Sequence, residues 1–384
     1  MKKPYKVMAL STLIATIVAG SITPSYASAA EDTTKSVPNY TDAADNYPEY
    51  SLGPQGLQDA LTKTGSNMLV MDLYALTILK QANVNLDGLT TINNDLQNSL
   101  KYNQDVARQN AKQWLDGIKP QIIQTNQNII SYNQEFQSYY DILVEAAKDQ
   151  DKETLQAVLK ELINSISAYQ GTVNKLAKDL GDLRTKLGDD TRNLKGNAGQ
   201  ITDILAGEKQ GIPAMKKQIE ANYTLIDENN KVYIGSSVAT ALGAYLVATI
   251  IFAPIGAGGL GGGIYGVVTS QQQIKQAQEE IKRLTQNIST AEQQVVRLTT
   301  LEKNTNNLTA TIDTAITAVE KIKDQWTIMG SQYQSLYDIV GKVKPDQIPK
   351  VVGRQLEAAQ KSWNLVSNHA KNIQNSEIKF VEGK

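Results

Sequence analysis

The chain has 384 residues, with 38 Lys and Arg against 39 Asp and Glu, one His and no Cys. Without Cys there is no disulfide framework, thiolate metal site or Cys nucleophile. The single histidine, His369, leaves no His-pair metal centre. Near-neutral charge argues against a nucleic-acid partner recruited by bulk basicity. No cofactor, metal or small-molecule substrate is therefore expected.

Lys2, Lys3 and Lys6 open the chain, an apolar run from Val7 to Val18 follows, and Ala27-Ser28-Ala29 supplies small residues after Pro24. This is the layout of a secretory signal peptide over residues 1–30, too short and wrongly flanked for a spanning anchor. Cleavage there would take three Lys and no acid, changing the formal charge from −1 to −4. No anchor motif closes the other end, so release from the producing cell is expected. Residues 31–50 are polar and poor in aliphatics, which predicts a flexible tail.

From Leu52 onward the pattern is helical. Leu57, Leu61, Leu69, Leu73 and Leu76 mark a first helix within 55–82. A second runs to Lys119, where Pro120 predicts a kink or a fresh start. A third passes Ile129, Phe136, Tyr140 and Leu143 to a turn at 149–151. Leu155, Leu159, Leu162, Ile166, Tyr169, Val173, Leu176, Leu180, Leu183 and Leu187 then alternate steps of four and three, a heptad seam. The seam is expected to weaken through the glycine-containing stretch 196–211. A shorter amphipathic helix follows, with Met215, Ile219 and Ile226, and leads to Asn230.

The strongest periodicity runs from Ile274 through Ala277, Ile281, Leu284, Ile288, Ala291, Val295 and Leu298. One step of three at Leu301, where four is due, is a stammer; the pattern then continues to Leu336. Read as one helix, 274–336 would be ~94 Å long. That length demands partners folded back alongside. Pro345 and Pro349 precede a last helix holding Leu356, Trp363 and Val366. The expected fold class is all-α: an elongated antiparallel helical bundle. His369, in the polar context SNHAKN, is expected at the surface.

One segment breaks this pattern. Between Lys231 and Lys275 lie 43 residues without a charge, and nine of the 26 glycines are here. Its large apolar and aromatic residues are Tyr233, Ile234, Val238, Leu242, Tyr245, Leu246, Val247, Ile250, Ile251, Phe252, Ile255, Leu260, Ile264, Tyr265, Val267 and Val268. They form two arms, Val238–Ile255 and Ile264–Val268. A reversal joins the arms, built from Pro254, Gly256, Gly258, Gly259, Gly261, Gly262 and Gly263. Leaving sixteen such side chains wet would cost tens of kcal/mol. A constitutive membrane hairpin fails on the short second arm. A permanently buried hairpin fits poorly with so much glycine, which loses the most entropy on ordering. The favoured reading is a conditional membrane element, sheltered in solution and released onto a bilayer, with strand or helix left open for the inserted form. Gly256-Ala257-Gly258-Gly259-Leu260-Gly261 matches the dinucleotide fingerprint by letter, with Glu279 beyond it. The flanks, however, read as heptad helices with no further strand candidates, so no βαβ unit is expected.

Several stretches carry a family resemblance: SLGPQGLQDALTKTGSNMLVMDLYALTILKQANVN (51–85), AKQWLDGIKPQIIQTNQNIISYNQEFQSYYD (111–141), IGSSVATALG (234–243), TAITAVEKIKDQWTIMGSQYQSLY (314–337) and AAQKSW (358–363). The chain resembles the tripartite enterotoxins of the Bacillus cereus group, the non-haemolytic enterotoxin and haemolysin BL. B-type and C-type components both remain open. The resemblance implies a secreted, non-enzymatic, pore-forming subunit of cytolysin A-like fold, with a long bundle and a small α/β head carrying a hydrophobic tongue. It implies action with other toxin components on host-cell membrane lipid. The division that follows is 51–232 for the first part of the bundle, 233–269 for the tongue and 270–384 for the second part. The rival reading is a secreted coiled-coil scaffold with a permanently buried hairpin.

Overall fold

A computed structural model describes residues 52–54, 56–239, 247–255, 264–268, 272–285, 288–375 and 377–382. The first helix, α1 (Leu57–Lys80), is the axis of the molecule, with 0–5 % exposure on most of its apolar residues. Its buried threonines bring their own partners. The Thr62, Thr64 and Thr77 hydroxyls donate to carbonyls one turn back, at 2.8–2.9 Å. A hydroxyl satisfied locally can enter a core without the cost of an orphan polar group.

Helices α2 (Asn94–Gln113) and α3 (Lys119–Lys148) are joined by one π-helical turn, Trp114–Ile118. The kink or fresh start expected at Pro120 takes this form. A proline ring clashes with the carbonyl four residues back, here Asp116, which lies inside the widened turn. Gln150 (φ 61°) turns the chain, and the Asp151 carboxylate caps α4 by accepting from the Thr154 amide.

α4 (Lys152–Glu208) is 57 residues long, ~86 Å. The weakening expected over 196–211 does not occur within the helix: Leu194, Ala198, Ile201 and Leu205 extend the seam with at most 1 % exposure. Gly196, Gly199 and Gly207 have nothing close around them and lie off that seam. α5 (Ile212–Ala239) runs nine residues past the expected end at Asn230. The chain returns through α6 (Gln272–Leu284) to α7 (Thr290–Lys342), then a 3-10 turn (Pro345–Gln347) and α8 (Ile348–Asn375).

The long helix expected over 274–336 is therefore two helices. Ser289 explains the break: its hydroxyl caps the Glu292 amide while the Glu292 carboxylate accepts from the Ser289 amide at 2.8 Å, a capping box. Beyond it the seam is continuous, and every position from Val295 to Leu336 has at most 2 % exposure, the stammer pair Leu298 and Leu301 included. α7 packs against α4 along most of its length and against α1. Arg184–Asp313 at 2.8 Å and Thr191–Thr309 at 3.0 Å show that α4 and α7 run antiparallel. This is the elongated antiparallel bundle that the heptads imply.

At the end of the trunk remote from α6, five aromatic rings interlock: Tyr132 and Tyr169 with Trp326, Tyr333 and Trp363. Tyr132 stands 4.5 Å from Trp363 and 5.5 Å from Trp326, centroid to centroid. The Tyr333 hydroxyl and the Trp363 indole both donate to the Leu52 carbonyl, at 3.2 and 3.1 Å, pinning the entry of the chain.

His369 contradicts the surface expectation. It is 4 % exposed on α8 and its Nε2 lies 3.0 Å from Thr62 Oγ1. The Thr62 proton is directed to the Gln58 carbonyl, so the imidazole donates. Burial pushes its pKa down to about 4.

A second expectation also fails, that no further strand exists. β1 (Val247–Ile255) and β2 (Ile264–Val268) are joined by β3 (Glu377–Glu382) in one sheet of order β2-β1-β3.

Candidate functional site

The uncharged segment is distributed over helix and strand. Tyr233, Ile234 and Val238 lie on α5, so the long first arm is not one helix. Val247, Ile250, Ile251, Phe252, Pro254 and Ile255 lie on β1, and Ile264, Tyr265, Val267 and Val268 on β2. Leu242, Tyr245, Leu246 and the reversal with Gly256, Gly258, Gly259, Leu260, Gly261, Gly262 and Gly263 fall outside the described residues. β1 and β2 pair antiparallel, from Ile251 with Val268 to Ile255 with Ile264. The glycine motif thus sits between two antiparallel strands, whereas a dinucleotide fingerprint opens a helix after a parallel strand. Among the described residues no helix is long and apolar enough to cross a membrane.

β1 is longer than β2. Its first four residues have no partner on β2, and β3 supplies one: Val247 to Phe252 pair parallel with Glu377 to Glu382. Pro254 pairs with Tyr265 of β2 and lies beyond the last β1–β3 pair, so β3 asks no N–H of it. β3 is the element of the sheet that sequence reading missed. Its signal was the β-branched and aromatic text EIKFVE directly after a helix.

The hairpin's supports are folded back along the trunk. The Lys209 ammonium meets the Glu292 carboxylate at 2.7 Å, and farther along both helices the Tyr223 and Thr300 hydroxyls are 3.0 Å apart. α5 therefore runs beside α7 in the same direction, and α6 packs against α5 on its way back. Two helix ends lie at one level, the 209–211 break between α4 and α5 and the capped start of α7 at Ser289. β2 touches α1 and β1 touches α6. The hairpin lies against the flank of the trunk.

The interface beneath is unusually polar. Burial raises the Asp227 carboxyl against the opposing Lys231 ammonium at 3.0 Å. Glu302 is raised by burial too, with Lys216 at 3.8 Å opposing. At the bend the balance reverses. Burial works to raise Glu292, but Lys209 and the two Ser289 donors hold it below the ordinary carboxylate range. No group of three or more His, Asp or Glu residues is arranged to hold a metal ion among the described residues.

The long-helix fold of this chain is shared with solved toxin components. It superposes on soluble SmhB of the tripartite alpha-pore-forming toxin Smh from Serratia marcescens with a TM-score of 0.67, at 17 % identity over 85 % of this chain and 92 % of that one. The chain belongs with the Bacillus cereus enterotoxins, and its residues 51–228 match the pattern of the Bacillus haemolytic enterotoxin (HBL) family. It is 56 % identical over 45 residues to a Bacillus cereus protein described as enterotoxin, covering all of that sequence and 11 % of this one. The Bacillus cereus HblL1 toxin component is similar over 87 % of this chain and 100 % of its own, with 29 % identity and a TM-score of 0.74.

Proposed function

We propose that this chain is a secreted subunit of a multi-component pore-forming toxin. It travels with the 233–269 segment folded against the trunk, assembles with partner components on a target cell, and carries that segment into the bilayer. The observation that supports this most directly is a mismatch between sequence and fold. The heptad passes Ile281, Leu284, Ile288, Ala291 and Val295 without losing step, yet one helix ends at Leu284 and the next begins at Thr290, with α6 folded back beside α5. The same seam would serve a straight helix. Straightening both bends would join α4 to α5 and α6 to α7 and swing the uncharged segment past the end of the trunk. Apolar surface would then leave protein for hydrocarbon, an exchange that assembly could tip.

The test is a staple across the folded-back pair. Lys216→Cys and Glu302→Cys, joined by a short bis-maleimide, should hold α5 to α7 in a chain that has no other thiol. The stapled protein should fail to release dye from target cells in the presence of the partner components, while the unstapled double variant succeeds. Equal lysis by both would overturn the proposal.

A further inference from the structure

Three donors converge on one carboxylate oxygen, Glu292 Oε2: the Lys209 ammonium at 2.7 Å, the Ser289 amide at 2.8 Å and the Ser289 hydroxyl at 2.7 Å. Lys209 is the cap that ends α4, and Ser289 is the cap that begins α7. We propose that Glu292 is a lock on the folded-back state: one buried side chain bonded to the residue at each helix break.

Three observations carry this inference. The first is mutual exclusion. Ser289 stands in extended backbone (φ −67°, ψ 165°), which frees its amide for the Glu292 carboxylate. In a continuous α6–α7 helix that amide would donate to the Thr285 carbonyl instead, four residues back. Lys209 is extended too (φ −144°, ψ 103°). Its amide still closes α4 on the Leu205 carbonyl, while its own carbonyl accepts from the Ile212 amide, where α5 starts, at 3.2 Å. Helical angles at Lys209 would hand that amide to Glu208. Straightening therefore dissolves the capping box and remakes the turn that carries the ammonium. The second observation is burial. The Glu292 side chain is only 8 % exposed, so the charge depends on these donors. The third is what lies farther along the same interface. Asp227 Oδ1 and Asn230 Oδ1 on α5 and Asn304 Nδ2 on α7 are buried and find no hydrogen-bond partner among the described residues. Polar groups are well paired at the breaks and poorly paired beyond them. The polar hold on α5 is concentrated at Glu292.

The lock deepens the proposed swing of α5 and α6, and its test needs neither partner components nor lipid. Hydrogen exchange of the full soluble chain at pH 7 reports local opening segment by segment. Lys209→Met and Glu292→Gln each remove the ion pair, and Gln keeps a carbonyl for the cap. Each variant should speed exchange over 213–230 of α5 about fivefold, the worth of a charged hydrogen bond discounted for a half-exposed Lys. Exchange over 155–187 of α4 should not change. The double variant should be no faster than either single one, since both remove the same bond. Lys209→Arg keeps the cation and should keep the original protection. Unchanged exchange over 213–230, equal acceleration in α4, or effects that multiply in the double variant would overturn the lock. Failure of the swing gives a different result. If the exchange pattern is as expected but stapled and unstapled proteins lyse equally, Glu292 fastens α5 and insertion is overturned.

Discussion

The α4–α7 pair and the β2-β1-β3 sheet are held by different means. Between α4 and α7 the contacts are side chains, a buried apolar row repeated along two helices of more than fifty residues each. In the sheet the contacts fixed by register are backbone pairs, with five residue pairs on one side of β1 and six on the other. An apolar row gives way only when whole helices separate, and each residue lost costs kcal/mol. A ladder can be unzipped from one end. The trunk therefore gives way only as a whole, whereas the sheet can open strand by strand.

This contrast can be broken most forcefully in the aromatic knot. Trp326→Ala should lower the free energy of global unfolding by roughly 3–5 kcal/mol, read by chemical denaturation. A loss confined to local proteolysis near residue 326 would mean that the trunk is not one cooperative unit. Next is the buried pair on α1. Asp72 accepts from the Lys119 ammonium at 2.6 Å and from the Trp114 indole at 2.9 Å, and both charged side chains are at most 3 % exposed. Burial raises the Asp72 carboxyl even so. Lys119→Ala would strand that carboxylate and should cost about 3–5 kcal/mol, whereas Asp72→Leu with Lys119→Met should recover most of it.

A smaller effect, dependent on pH, comes from His369. Its pKa is lowered on folding from 6.5 to about 4. The unfolded chain takes up this proton first, so stability is full above pH 6.5 and falls as pH drops toward 4. The loss amounts to roughly 3 kcal/mol at the acid end. His369→Gln should flatten that part of the stability–pH curve measured between pH 7 and 4.5. A curve unchanged by the substitution would assign the acid sensitivity elsewhere. The smallest effect belongs to Arg184–Asp313, a pair with both side chains about half exposed. Arg184→Ala should change trunk stability by no more than about 1 kcal/mol, which sharpens the point that the seam and not the surface charge holds α4 to α7.

The trunk was legible because a heptad states its own partner: Leu155 to Leu187 and Val295 to Leu336 name both a helix and the face it buries. The start of a new helix was written as Ser289-x-x-Glu292, but an unbroken period outweighed a cap, and both signals are real in the chain. His369 follows Trp363 and Val366 at helical spacing, so its buried side could have been found. The polar letters around it obscured that. β3 was illegible for a different reason. A six-residue strand has meaning only beside its partner, which lies some 130 residues earlier in the sequence. The uncharged segment itself was legible as an anomaly, because burial of sixteen large apolar groups must be accounted for wherever the fold puts them.

The π-turn at Trp114–Ile118 has a consequence for what deletions the protein tolerates. Each residue in an α-helix advances the face by about 100°, whereas the wider turn takes up one residue with almost no net advance. Above the turn Asn103 and Asn110 reach Asn197 and Asp190 of α4; below it the Tyr132 ring lies against Trp363 of α8. Excising Gly117 would therefore leave an ordinary helix with both halves still facing these partners. Excising one residue from the regular helix between Lys119 and Tyr132 would instead turn everything beyond it by about a quarter-turn and swing Tyr132 away from Trp363. Two single-residue deletions a few positions apart would thus have opposite consequences, a difference that no loss of side-chain volume would explain.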